Sequence, residues 1–237
     1  MKKQILTLSL GLLSLGLMAQ KSELKAAEKA IKKQDFTNAI SILNSIEGEL
    51  MISGEDKYKS KFYFLKGKAL ATKKDYKNAA EALNALLSMS KNKYSEEAKP
   101  ILNQMIQEVS KKAIDQYNNK KDYKNAAKYI ESVITQAAEQ ETEAEETWYI
   151  LQRAVYFELK DNKKVTAILE QMVRLFNKPE YWLQLAGMYG ELEQEDKQLA
   201  VMEAAYQQGY VTQKSELMTL SQIYYFNGLR FLSFSDK

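Results

Sequence analysis

The chain has 237 residues, of which 45% are hydrophobic and 27% are charged, and its formal net charge is +3. It contains neither cysteine nor histidine, which excludes disulfides, thiolate or imidazole metal sites and nucleophilic arrangements of the Ser-His-Asp and Cys-His kinds. Two prolines and nine glycines stand among many alanine, leucine, lysine and glutamate residues, so helix is favoured almost throughout.

The first 19 residues differ from the rest. Lys2 and Lys3 precede an uncharged run over residues 5–19, which is shorter than the roughly 20 residues that span a bilayer as a helix. This pattern is typical of a signal peptide cleaved after Ala19, with a retained membrane anchor as the alternative. Removing the two lysines lowers the formal charge from +3 to +1, so no basic surface for nucleic acid is expected. We therefore expect an exported, periplasmic protein with no membrane span after cleavage.

A repeated hexapeptide organises the remaining chain. The sequence D-Y-K-N-A-A occurs at residues 75–80 and again, unchanged, at 122–127, and looser copies lie at 35–40 and 161–166. The copies are 40, 47 and 39 residues apart, which indicates an array of helical repeats whose units bury their apolar faces against their neighbours. The aspartate that begins each copy is expected to cap the second helix of a unit.

We expect the chain after residue 19 to form a single helical repeat domain over 20–237. Its units are predicted near residues 20–53, 54–92, 95–138, 142–178 and 179–212, with a partial unit over 213–237. The wider spacing before the third unit predicts an unusually long helix from Ser95 to Tyr117, with Pro100 near its start. The turn of the fourth unit is expected to be one residue longer than the others.

Local motifs predict where some helices begin. Ser53 with Asp56, and Thr142 with Glu145, form patterns close to a capping box, and each predicts a helix start. The five glutamates among residues 139–146 indicate a solvated linker or helix start, because carboxylates at consecutive helical positions point in different directions and do not converge on a cation.

Three glycines fall inside predicted helices. Gly67, Gly187 and Gly190 are each expected to allow two helices to approach closely, since no phosphate-loop pattern surrounds them. Gly48 and Gly54, in contrast, are expected to bracket the connection ahead of the second unit.

The C-terminal stretch departs from the repeat. Leu217 and Tyr224 take the places of a first helix, with Gly228 at its turn, but the expected second helix is absent. Tyr225 and Phe226 are predicted to be exposed, at a solenoid end that normally carries a polar capping helix. We expect a truncated or altered C-terminus, and an edge at which two copies of the chain could form a homo-oligomer.

The fifth unit carries the most specific motif. Trp182, Leu185, Ala186 and Tyr189 match W-x2-L-G-x2-Y, with alanine in place of the small glycine. On these residues the chain resembles the tetratricopeptide repeat (TPR) proteins, over essentially all of its length after residue 19. The resemblance implies an all-α fold, a right-handed superhelical solenoid of antiparallel helix pairs with about five and a half repeats and a concave groove.

In TPR proteins one face of each unit's first helix lines the groove, and the resemblance thereby implies partner-binding residues. These candidates are Lys61, Phe64, Lys68, Lys111, Asn118, Tyr149, Phe157, Leu183, Met218 and Tyr225, with Gly187 on the same face. The groove would change from basic and polar to apolar and aromatic along the chain, which suits an amphipathic helix or an extended peptide. The alternative is that these side chains pack within the superhelix or against the C-terminal tail. Leu24 and Glu28 stand where the family's carboxylate clamp needs lysine and asparagine, so no such clamp is expected.

The segment from Tyr181 to Gly228 supports a narrower resemblance. Its runs Y-W-L-Q-L-A-G-M-Y-G-E-L and Q-L-A-V-M-E-A-A-Y-Q-Q-G-Y are similar to periplasmic TPR proteins that accompany TonB energy-transducing systems in Gram-negative bacteria. The resemblance implies a non-enzymatic adaptor, without a cofactor, that binds protein or peptide partners, with TonB-system components among them. A general envelope or cell-wall assembly scaffold is a second hypothesis, and a hydrolase that uses only carboxylates is a third.

Overall fold

The computed structural model describes residues 20–90 and 92–235, with side chains up to residue 226. The predicted signal peptide lies outside this part. The described residues form eleven α-helices and no strand. The helices are α1 (residues 20–32), α2 (Phe36–Ser53), α3 (Asp56–Thr72), α4 (Tyr76–Leu87), α5 (Ser95–Asn118), α6 (Tyr123–Glu139), α7 (Glu146–Glu158), α8 (Asn162–Phe176), α9 (Pro179–Glu191), α10 (Glu195–Gln207) and α11 (Lys214–Ser235). The predicted all-α, TPR-like class of five and a half helix pairs is confirmed.

A short turn with one left-handed residue joins the two helices of each pair. The residue before each capping position is left-handed, with φ between 53° and 64° at Gln34, Lys74, Lys121, Lys160 and Glu193. A left-handed residue directs the chain back along the helix that it has just left, so the two helices run antiparallel.

The aspartate of each hexapeptide copy caps the next helix, as predicted. The carboxylates of Asp35, Asp75, Asp122 and Asp161 each accept a hydrogen bond from the backbone N–H three residues later. In the fifth turn Gln194 takes the aspartate's place, and no side chain caps α10. The hexapeptide is therefore a joint: its aspartate satisfies a free donor of the first turn, and its first alanine is fully buried in the unchanged copies.

The longer turn is in the third unit and not in the fourth, so that prediction is wrong. The Asp161 N–H donates to the Tyr156 carbonyl, five residues back, as the Asp75 N–H does to Leu70. The Asp122 N–H instead donates to the Gln116 carbonyl, six residues back. The additional residue follows the end of the long helix α5, which reaches Asn118.

Both capping-box predictions are also wrong. α2 continues through Gly48 to Ser53, whose hydroxyl donates to the Glu49 carbonyl inside the same helix. α3 and α7 have Glu55 and Glu145 at their N-caps, and neither side chain makes a capping hydrogen bond. The Ser53 hydroxyl bonds to a carbonyl four residues earlier in α2, so Ser53 ends α2 and does not cap α3.

Two helices are longer than the rest. α5 has 24 residues with Pro100 as its sixth, which confirms the predicted long helix. α11 has 22 residues and passes through Gly228 without a break, so the predicted turn there is wrong. A single glycine costs a helix only about 1 kcal/mol, and no proline follows to end it. Among the described helices, none is long and apolar enough to cross a membrane.

The helices form two compact units, divided within α5 between Val109 and Ser110. Unit 1 contains α1 to α4 and the first part of α5, around a core of leucines with Phe62 fully buried. Unit 2 contains the rest of α5 and α6 to α11, each of α6 to α11 packed against the next. The candidate site lies within unit 2.

Candidate functional site

A half-open cavity of about 430 Å³ lies in unit 2. Its wall is formed mainly by the first helices of two successive pairs, α7 and α9, with contributions from α8 and the end of α5. The lining residues are Tyr117, Arg153, Ala154, Phe157, Val165, Leu169, Gln184, Gly187, Met188 and Glu191. A cavity of this size accommodates one or two side chains of a bound segment.

The position of α8 behind the cavity follows from its sequence. Asp161 caps α8 immediately after the turn from α7, which places Val165 one turn into the helix. Val165 and Leu169 are four residues apart, so they lie on one face of α8, and both are buried. They form an apolar surface behind the side chains of α7 and α9.

The aromatic side of the cavity is open to solvent. Phe157 lies in the last turn of α7 and is 65% exposed, although Val155 and Tyr156 beside it are buried. An exposed aromatic ring that borders an apolar cavity has surface available to a partner, and such rings are frequent energetic anchors of interfaces.

Gly187 makes the opposite side of the cavity open. A Cβ atom added at Gly187 would meet no atom within 4 Å. The prediction that this glycine allows two helices to pack closely is therefore wrong. Gly190 does adjoin a neighbour, since a Cβ there would lie 2.7 Å from the Gln198 side-chain nitrogen. At Gly187 the missing side chain therefore leaves space in the cavity.

Two opposite charges border this apolar surface. The guanidinium of Arg153 donates to the side-chain oxygen of Gln184, and its Nε is buried without a hydrogen-bond partner. Glu191 accepts a hydrogen bond from the Asn162 side-chain nitrogen at 3.4 Å. Within the described residues neither Arg153 nor Glu191 takes part in an ion pair.

Tyrosine–glutamate hydrogen bonds hold α9 in place beside the cavity. Tyr181 donates to Glu146 of α7, and Tyr189 donates to Glu170 of α8. Burial, followed by the bonded carboxylate, raises the pKa of each tyrosine to about 12. The ammonium of Lys178, 2.6 Å from Glu146, and then the Tyr181 hydroxyl hold the pKa of that carboxyl below its ordinary value.

The candidates from the last units occupy three different environments. Phe157 lines the cavity, whereas Tyr149 is buried and packs edge to face with Phe176. Leu183 is half-buried and packs against a small core cluster of unit 2. Met218 and Tyr225 lie exposed on α11, and neither belongs to the cavity lining.

None of the candidates from the first three units belongs to the lining of this cavity. Lys61 forms an ion pair with Glu28, and Phe64 is buried with its ring stacked on Tyr94 at 4.7 Å between centroids. Lys68 is exposed and borders a separate cavity of unit 1. In unit 2, Lys111 and Asn118 are exposed on α5.

The polar residues of the site were not among the candidates. Arg153, Gln184 and Glu191 have ordinary helical positions in the sequence, and only the packing of α7 against the following pair brings them to one cavity. One pattern in the sequence could have indicated two of them. Gln184 and Glu191 lie at helical intervals from Gly187, on one face of α9. No group of three or more metal-ligating side chains occurs in the described part of the chain.

Comparison with protein-family models and with curated proteins finds no match. Among solved structures, one similar chain is a thermophilic TPR protein of Thermus thermophilus, with 15% identity, a TM-score of 0.34 and coverage of 86% of this chain and 98% of that one. Another is the TPR2AB domain of yeast Sti1 in complex with pHSP90, with 18% identity, a TM-score of 0.35 and coverage of 87% and 84%. A third is MamA of Desulfovibrio magneticus RS-1, with 16% identity, a TM-score of 0.31 and coverage of 80% and 94%.

Proposed function

We propose that this protein is a non-enzymatic adaptor that holds a segment of a protein partner in the cavity of unit 2. The observation that carries the proposal is the cavity itself. It has an apolar surface with an exposed aromatic ring, a glycine whose missing side chain leaves space, and two charges without ion-pair partners. Such a surface gains free energy when a partner's apolar side chain displaces water from it. An array of helix pairs presents this surface on rigid elements, which is the usual basis of binding by repeat proteins.

The chemistry of the site supports binding over catalysis. The lining contains one carboxylate, that of Glu191. A hydrolase without histidine or cysteine would need two carboxyl groups, one as the acid and one as the base. The tyrosines with raised pKa values bond to glutamates between helices, a structural role.

The location and the partner system are proposed from the sequence. We assign the protein to the periplasm, because residues 5–19 follow the signal-peptide pattern. We assign it to a TonB-type outer-membrane transport system, because the resemblance to TonB-associated TPR proteins covers Tyr181 to Gly228, which includes most of α9 and therefore one wall of the cavity.

Crosslinking in intact cells of the source organism tests this function. The tagged protein is crosslinked, purified from the envelope fraction and analysed for partners, with the Gly187→Trp variant as a control whose indole fills the cavity. We expect TonB-system proteins with the wild type and their loss with Gly187→Trp. Recovery of cell-wall or outer-membrane assembly proteins would instead support the general scaffold, and the absence of any cavity-dependent partner would contradict both.

A further inference from the structure

The charges at the cavity are arranged along a line. Gln184 and Glu191 are seven residues apart on α9, which places them two turns apart on nearly the same face, about 10 Å along the helix axis. Arg153 is bonded to Gln184, so its guanidinium lies at the Gln184 end. The cavity therefore has a positive end at Arg153 and a negative end at Glu191.

The apolar surface lies between these two ends. Gly187 and Met188 stand one turn after Gln184 and one turn before Glu191, and the exposed ring of Phe157 stands one turn after Arg153 on α7. A bound segment that crosses the cavity along α9 thus meets a cation, an apolar surface and an anion in that order.

From this arrangement we infer that the site binds a protein segment in which an acidic and a basic residue, about 10 Å apart, flank a large apolar side chain. The acidic residue contacts Arg153, the apolar side chain fills the space beside Gly187, and the basic residue contacts Glu191. In an α-helical ligand the two charges are about seven residues apart, and in an extended ligand about three. This inference rests on the proposed function and specifies its ligand.

Arg153 is suited to binding a carboxylate of the ligand. Its bond to Gln184 orients the guanidinium, which reduces the entropy lost on binding, and a guanidinium can donate two parallel hydrogen bonds to one carboxylate. Next to an apolar wall the attraction between opposite charges is stronger than in water, so a mismatched charge in the ligand is disfavoured.

Selection from a random peptide library displayed on phage tests the inference, with the purified chain from residue 20 as bait. We expect wild-type protein to enrich peptides with the order acidic, apolar, basic at one of the two spacings. Arg153→Glu should lower the affinity for these peptides at least about tenfold and should itself select peptides with a base in place of the acid. Glu191→Lys, a change at an exposed side chain, should reverse the preference at the other end.

One result would separate the adaptor function from the inferred charge pattern of its ligand: peptides that bind in the cavity but show no preference for charged residues. If Gly187→Trp abolishes peptide binding but both charge variants select the same peptides as the wild type, the inference is overturned and the adaptor function stands. Failure to enrich any cavity-dependent peptide overturns the inference as well. Light scattering provides a further test. If the wild type is a dimer and the Gly187→Trp variant is a monomer, the inference is overturned, because a second copy of the chain would then occupy the cavity.

Discussion

Two glycines in first helices of their pairs occupy opposite surroundings. A Cβ atom at Gly67 of α3 would lie 2.5 Å from Cγ and Cδ2 of Leu83, a fully buried side chain of α4, and 3.3 Å from the Ala79 carbonyl oxygen. A Cβ atom at Gly187 of α9 would meet nothing within 4 Å. The first glycine therefore allows α3 and α4 to pack closely, and the second leaves space in the cavity.

The same substitution at these two positions should have opposite effects on stability. Alanine favours a helix over glycine by about 1 kcal/mol, so Gly187→Ala should raise the free energy of unfolding by about 0.5–1 kcal/mol. Gly67→Ala gains the same propensity but overpacks α3 against α4 at a cost of about 1–3 kcal/mol, and it should be destabilising. Urea unfolding followed by circular dichroism measures both. Equal stabilisation by the two variants would contradict the packing described for Gly67.

The tyrosine–glutamate bonds predict how stability depends on alkaline pH. Tyr181 has a pKa of about 12 in the folded protein and about 10 when unfolded. Because the folded-state pKa is the higher one, its contribution to stability is complete below about pH 10 and is lost as the pH rises towards 12. Tyr189 contributes in the same direction.

Replacing both rings by phenylalanine tests this linkage. The double variant Tyr181→Phe, Tyr189→Phe keeps the ring packing but removes the ionisable hydroxyls, so its unfolding free energy should fall less steeply between pH 10 and 12 than that of the wild type. Unfolding in urea at a series of pH values gives the two slopes. The control is Tyr206→Phe, which changes an exposed ring of α10. Parallel curves for the double variant and the wild type would exclude a role for these hydroxyls.

At the scale of elements, the turn within each pair is set by neighbouring residues. In the second pair, the Asp75 carboxylate accepts from the backbone N–H of Asn78 and from its side-chain amide at 2.7 Å. Asp75→Ala should therefore destabilise the protein by about 1 kcal/mol, whereas Asp75→Ser, which keeps a capping oxygen, should retain most of that stability. Differential scanning calorimetry would show this order of melting temperatures, and equal losses in both variants would contradict the capping role.

The local nature of these turns explains which elements could be predicted from the sequence. The aspartate caps and the long helix α5 depend on a few adjacent residues, so repetition along the chain was enough to locate them. Ser53 and Thr142 have similar capping patterns, but Ser53 is the last residue of α2, and α7 begins after Glu145 without a cap from Thr142. At Gly228 the break expected for a repeat unit was wrong, because nothing nearby prevents the helix from continuing.

At the scale of the whole molecule, the candidate site is only partly predictable from the sequence. Phe157 and Gly187 could be assigned to a first-helix face from the repeat register, and both line the cavity. Arg153 and Gln184 could not, because their bond joins residues 31 positions apart in the chain, on two different helices. Tyr149 has the same pattern of an aromatic residue in a first helix, yet it is buried against Phe176.

A photocrosslinker placed inside the cavity tests most directly whether a partner binds there. Benzoylphenylalanine at position 157 replaces the exposed ring of the site, and the same residue at position 52, where Ile52 is 88% exposed on α2 of unit 1, serves as the control. After irradiation of intact cells we expect a covalent adduct with a partner protein at position 157, its loss when Gly187→Trp is added, and no such adduct at position 52. Equal labelling at both positions, or no adduct at position 157, would contradict the cavity as the partner-binding site.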